Sequence, residues 1–262
     1  MQPLFLEGRQ GPLFANLFTA PGPATRGYVF VPPFAEELNR SRHMMSRLAR
    51  RAAAAGTPVL LVDPFGTGDS AGRFEDGTWY GWQDDITVAM SYLKTQGVRD
   101  VGLVALRTGA LLAAGLSNVA HLILWAPVLN GEQFLTQFLR LKVAESMARD
   151  AASKETTKDL KARLAAGETL EIGGYALTPG MAADIAAEKL IKARPRSPVT
   201  WFELGAAPTP AVTAAHEAWR EAGVDAALQV LEGPQFWNLL EPEVAGALLE
   251  ATVAAMVGER VS

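Results

Sequence analysis

One stretch of this chain has the residue spacing for chemistry at a turn. Residues 101 to 114, VGLVALRTGALLAA, read as an apolar strand, a sharp turn over Ala105-Leu106-Arg107-Thr108-Gly109, and a helix of small residues. A tight strand-to-helix turn can lift one side chain above the end of a sheet, where a serine hydroxyl would serve as a nucleophile. The residue in that place is Arg107. A guanidinium stays protonated and has no lone pair for attack, so it cannot replace serine. It can donate instead. An arginine at the mouth of a helix N-terminus offers paired N–H groups to a carboxylate or phosphate.

Other reactive side chains fall in less telling places. Ser70 closes the loop Gly66-Thr67-Gly68-Asp69-Ser70, where a turn-forming role suits it better than catalysis. That loop is not a phosphate-binding fingerprint, because Ala71 stands where the third glycine would be. Thr108 could expose its hydroxyl, but capping the following helix is the better reading. The three histidines are His43 in a helix pattern, His121 at a strand start and His216 in a late amphipathic helix. None falls in a loop at the C-terminal edge of a sheet; His43 is the nearest to a usable base. Trp79, Tyr80, Trp82, Phe236 and Trp237 either line a pocket or pack a core. No metal-ligand spacing occurs, and no cofactor is implied. The absence of cysteine excludes disulfides, thiolate zinc sites and a cysteine nucleophile, and suits a cytoplasmic location.

The elements that must position Arg107 follow from apolar periodicity. With 262 residues, 49% of them hydrophobic and 20% charged, the chain can bury one large core, and one domain with an insertion is the economical reading. Residues 3 to 19 predict an antiparallel hairpin turning at Gln10-Gly11-Pro12. Apolar strands follow at 27–31, 58–66, 101–104, 121–128, 199–205 and 227–233, the first of them halted by Pro32-Pro33. Between them lie a helix capped by Asn39 or Ser41 and ending at Gly56, another over 79–94, one after the turn at Arg107, one over 210–223 and a last over 241–257. Such alternation implies a mainly parallel, twisted sheet with helices on both faces. From 131 to 196 it lapses into charged, helix-forming sequence around a short apolar piece, LEIGGYALTP. The expected organisation is therefore a core of 1–130 and 197–262 with a helical cap of 131–196 inserted.

Partners can be narrowed by charge. A net charge of −4 gives no reason to expect a nucleic-acid partner, and the arginines of residues 40 to 51 fall at several helical angles, as on a solvated face. Residues 108–131 carry no Asp, Glu, Lys or Arg, yet Ser117, Asn118, His121 and Pro127 punctuate them as a buried helix, turn and strand, so no membrane insertion is expected. The N-terminus MQPLFLEGRQ does not read as a signal peptide.

The order of these pieces resembles the α/β-hydrolase fold. More narrowly, VPPFAEELNRSRHMM (31–45), ALRTGALLAA (105–114) and EGPQFW (232–237) are similar to the second hydrolase-like family that accompanies the bacterial exosortase A system, set among genes for exopolysaccharide production. The resemblance implies an elbow nucleophile at Arg107, a histidine at Gln235 and an acid near 203–209, where only Glu203 is on offer. An amide does not accept a proton near neutral pH, so Gln235 cannot be the base, and Glu203 lies early for the acid. The usual triad is thus missing. What the resemblance leaves is the oxyanion pair, here the backbone N–H groups of Phe34 and Thr108, since Pro32 and Pro33 have none. Phe34, Arg107 and Thr108 form a candidate anion site. The competing reading closes the site with an internal ion pair from Arg107 to Glu36, Glu37 or Asp63. Three functions stay open: a triad-less protein binding a small anionic or acyl ligand, an ester or thioester hydrolase with a non-standard catalytic set, and a scaffold that docks a protein partner.

Overall fold

A computed structural model describes residues 1–149 and 155–258. Ten strands are present among them: β1 (Gln2–Glu7), β2 (Pro12–Phe18), β3 (Arg26–Val31), β4 (Val59–Val62), β5 (Asp100–Leu106), β6 (Leu122–Trp125), β7 (Leu170–Ile172), β8 (Tyr175–Leu177), β9 (Val199–Leu204) and β10 (Ala226–Leu231). Eight of them form one sheet in the order β1-β2-β4-β3-β5-β6-β9-β10. The β1–β2 hairpin is antiparallel and β2 joins β4 antiparallel; all pairings from β4 to β10 are parallel. The chain leaves β3 for β4 on one side and returns to β5 on the other. Such a reversal opens a crevice at the carboxyl ends of the central strands, where open α/β sheets bind ligands.

The described residues also form eight α-helices: α1 (Glu36–Ala54), α2 (Trp79–Thr95), α3 (Gly109–Ala113), α4 (Gly131–Arg149), α5 (Thr157–Ala165), α6 (Pro179–Ala187), α7 (Pro210–Glu221) and α8 (Gly246–Val257). The period-2 alternation of a strand divides them into two layers. Tyr28 and Phe30 of β3 point into a core shared with Met44 and Leu48 of α1 and Leu248 and Met256 of α8. Val29 and Val31 point into the opposite core, with Ile86 and Leu93 of α2 and Trp219 of α7. Burial on both faces is why β3, β5 and β6 read as unbroken apolar runs.

Some boundaries differ from the sequence expectation. α1 begins at Glu36, not after Asn39 or Ser41; Ala35 precedes it at φ 52°, with no side-chain cap. Glu36 and Glu37 in its first turn complement the positive end of the helix instead. α8 begins at Gly246, because Pro242 disfavours helical backbone at Glu241. The helix after the Arg107 turn is only five residues long. LEIGGYALTP is a hairpin, β7–β8, turning on Gly173 and Gly174 at φ 56° and 85°, the conformation a two-residue turn needs. It lies with α4, α5 and α6 between β6 and β9, outside the main sheet. No described helix is long and apolar enough to cross a membrane.

At the opposite end from the crevice, His121 precedes β6 and bridges two strands. Its Nδ1 lies 2.9 Å from the Tyr28 hydroxyl and its Nε2 lies 2.9 Å from Thr200 Oγ1. Burial pushes the Tyr28 hydroxyl up to about 12, so this O–H stays protonated beside the ring. Burial, helped by Arg26, likewise pushes His121 down to about 4. The folded chain therefore binds this proton less tightly than the unfolded one. The stability His121 contributes is present above pH 6.5 and is lost as pH falls towards 4, by up to about 3 kcal/mol. The urea midpoint of wild type should fall relative to that of His121→Gln as pH drops through this range, and NMR titration of the ring should show no protonation near pH 6.5.

Candidate functional site

The turn after β5 is built by backbone contacts on both sides. Arg107 sits at φ 54°, a conformation non-glycine residues seldom hold and one that raises the side chain over the strand ends. Its N–H donates to Trp125 O at 3.0 Å, and its carbonyl accepts the N–H groups of Val128 and Ala110, each at 3.1 Å. Two residues on, Gly109 lies against the end of β3: a Cβ there would stand 2.6 Å from Val31 O and 2.7 Å from Pro32 O.

Above this turn the guanidinium has three neighbours. Its Nε donates to Glu37 Oε1 at 3.3 Å, its Nη1 donates to Ala126 O at 3.1 Å, and its Cζ lies 5.1 Å from the centre of the Trp237 ring. Both ion-pair partners are largely buried, with 19% of the Arg107 side chain and 17% of the Glu37 side chain exposed. Of the three acids considered for Arg107, Glu37 is the one that pairs. Asp63 is taken by Arg42 at 2.9 Å and Glu36 by Arg40 at 3.5 Å. Burial holds the Glu37 carboxyl above its ordinary range, against the opposing pull of Arg107 and, more weakly, Arg40. Its second oxygen, Oε2, is buried without a hydrogen-bond partner.

The ion pair forms part of the wall of a cleft of about 220 Å³. Phe34, Phe134, Phe138 and Leu141 give it an apolar side; Glu36, Arg40, Trp237 and Asn238 complete the rim. Arg40 Nη1 donates to Asn238 O at 2.9 Å, tying α1 to the turn after β10. Phe34 is the hub of the apolar side, with ring centres of Phe74, Trp82, Phe134 and Phe138 within 5.3–6.0 Å. The charged groups lining the cleft, Glu36, Glu37, Arg40 and Arg107, balance in sign.

The other candidates are placed as follows. The Phe34 N–H donates to Thr108 Oγ1 at 2.8 Å, so the Thr108 hydroxyl braces the two loops and does not cap α3 as its position in the sequence predicts. Gln235 is exposed and its Oε1 accepts from Asn238 Nδ2 at 3.4 Å; Trp237, two residues on, occupies the space beside the guanidinium. Glu203 accepts the Trp201 Nε1–H at 2.8 Å, and burial raises its carboxyl while this bond and Arg107 lower it. Ser70 donates to Asp63 O at 2.5 Å and accepts the Phe14 N–H at 2.8 Å, a purely structural clasp. His43 donates to Glu243 O at 2.8 Å and His216 to Ala226 O at 2.9 Å, each engaged with backbone. Among the described residues there is no group of three or more His, Asp or Glu that could hold a metal ion. The lining residues that sequence reasoning did not single out are Arg40, Phe134, Gln137, Phe138, Leu141 and Asn238; the i, i+4 spacing of the two phenylalanines was the available signal.

The fold recurs in solved structures. Est1E from Butyrivibrio proteoclasticus matches at 13% identity over 98% of this chain and 96% of that one, with a TM-score of 0.64. The α/β hydrolase GrgF from Penicillium sp. sh18 matches at 16% identity over 97% and 98%, with a TM-score of 0.65. This chain has the α/β-hydrolase fold. A lidless α/β serine hydrolase from Xanthomonas campestris matches as well, at 16% identity over 98% and 93%, with a TM-score of 0.56. No protein-family model matches the sequence, and no curated protein matches it.

Proposed function

We propose that this α/β-hydrolase-fold protein has given up serine-hydrolase chemistry and binds an acyl-type or other apolar-tailed ligand in the cleft at its elbow. The observation that carries this reading is Arg107 itself, at φ 54° in the nucleophile's position and held there by Glu37, Ala126 O and Trp237. No side chain at that position can attack a carbonyl, and Gln235 supplies no base. The apolar lining from Phe134, Phe138 and Leu141 suits a hydrocarbon tail, with residues 131–196 acting as the cap over it. α3 is too short to contribute much dipole, so the donor for a polar head is the guanidinium. The Phe34 N–H is already engaged, which removes half of a conventional oxyanion pair. The sequence motifs at 31–45, 105–114 and 232–237 set this role in exosortase A or exopolysaccharide biology.

Purified wild-type protein and Arg107→Ser are both expected to leave short p-nitrophenyl esters unhydrolysed above background. Neither should be labelled by a serine-directed fluorophosphonate, because serine alone lacks a base. Labelling of one serine in the wild type together with ester turnover would establish the alternative, a hydrolase with a non-standard catalytic set.

A further inference from the structure

The internal ion pair of the cleft is incompletely made. A guanidinium and a carboxylate pair best through two parallel bonds of about 2.7–2.9 Å. Here a single bond of 3.3 Å joins Arg107 Nε to Glu37 Oε1. Glu37 Oε2 is buried and accepts nothing. Arg107 Nη2 donates no hydrogen bond among the described residues, although Nε and Nη1 do. A buried carboxylate with one unpartnered oxygen is costly, so this pair is one that a better-fitting carboxylate can replace.

We infer that Glu37 is a displaceable internal ligand of Arg107, and that a short- or medium-chain monocarboxylate takes its place with its chain along Phe134, Phe138 and Leu141. This rests on the acyl-ligand reading of the cleft and adds the chemistry of the head group and the cost of admitting it. The cleft, about 220 Å³, is smaller than the usual ligand pocket of roughly 300–1,000 Å³, which limits the length of chain it holds.

Displacement leaves Glu37 without its cation in a poorly solvated position. The charges that act on it are Arg107 on the elbow and, more weakly, Arg40 on its own helix; Glu36 lines the same cleft, and Glu203 on β9 feels Arg107. The cleft-lining residues of α4, Phe134, Gln137, Phe138 and Leu141, bring no charge, nor do Trp237 and Asn238. With Arg107 neutralised by the ligand, only the weaker pull of Arg40 opposes burial, which already pushes Glu37 towards the neutral acid. The exchange takes one proton from solvent: the incoming carboxylate keeps its charge on Arg107, and Glu37 becomes a carboxylic acid. Binding therefore strengthens as pH falls, by at most about tenfold per pH unit for one coupled proton.

The test is calorimetric titration of sodium octanoate and, as a neutral control of the same length, octanamide, at pH 6 to 8, where octanoate stays ionised. Repeating it in buffers of different ionisation enthalpy counts the protons. Wild type is expected to take up close to one proton per octanoate and to bind it more tightly at pH 6 than at pH 8. E37Q should bind octanoate about tenfold more tightly than wild type at pH 8, with no proton uptake. Octanamide bound equally by both proteins, with octanoate showing no proton uptake and no gain in E37Q, overturns the displacement and leaves the cleft reading standing. Failure of both compounds to bind either protein overturns the cleft reading and the displacement with it. The proton count on wild type decides the matter even if E37Q does not fold.

Discussion

Gly109→Ala is expected to cost about 3 kcal/mol of folding free energy, at the upper end of what a single added methyl does to a packed site. The new Cβ would meet Val31 O and Pro32 O at 2.6 and 2.7 Å, and both are backbone atoms, so no side chain can turn aside. Relief requires moving the elbow or the end of β3. β3 is pinned between β4 and β5 by its ladders, and the elbow is pinned by Trp125 O and Val128 N. Gly246→Ala and Gly180→Ala are the controls: each sits in a helix where a Cβ meets nothing within 4 Å. Both should be neutral or gain roughly 0.5–1 kcal/mol from reduced unfolded-state freedom. Urea midpoints at unchanged slope report all three. A Gly109→Ala midpoint equal to that of the controls would show that the elbow and β3 can slide apart.

The close approach at Gly109 explains why the elbow was readable from sequence. An apolar run followed, after two intervening residues, by a glycine is what a strand needs if it turns sharply beneath its neighbour's carbonyls, because only glycine fits against Val31 O and Pro32 O. The two-faced burial of β3, β5 and β6 was readable for a related reason: their alternation collapses into continuous apolar runs, and the helices between them show a single apolar stripe. What could not be read depends on distances between segments remote in sequence. α1 starts at Glu36 after Ala35 at φ 52°, a start that no local cap signal announces. Thr108 sits where a cap belongs, yet its hydroxyl serves Phe34, 74 residues away. Glu36, Glu37 and Asp63 were equivalent partners for Arg107 in one dimension. Helix phase separates the first two, and the competing Arg42 removes the third. Gln235 marked the right loop but the wrong side chain, since the 3-10 turn at Phe236–Asn238 carries Trp237 to the guanidinium and leaves Gln235 exposed.

Arg107→Ala should destabilise the fold by about 2–4 kcal/mol at pH 8, less than a fully buried pair would lose because both side chains keep some exposure. Part of the loss is the Trp237 contact, which at a partly buried site contributes roughly 1 kcal/mol. The larger part is Glu37, which loses its cation and must take up a proton against the surrounding pH to remain buried. Its sign with pH follows from the direction of its shift. Glu37 already holds its proton more tightly in the folded chain than in the unfolded one, and losing Arg107 strengthens that preference. The deficit is therefore small below the unfolded carboxyl range and grows as pH rises through the folded value, so Arg107→Ala should lie nearer wild type at pH 5 than at pH 8. Adding Glu37→Gln to Arg107→Ala should recover most of the loss at pH 8 and flatten the pH dependence, giving a coupling energy of about 1–3 kcal/mol in the double-mutant cycle. Additive mutations would mean that Arg107 stabilises the elbow through Trp237 and Ala126 alone. Coupled ones mean that Arg107 is there to hold a carboxylate, which is the one property that a plug and the proposed binding site share.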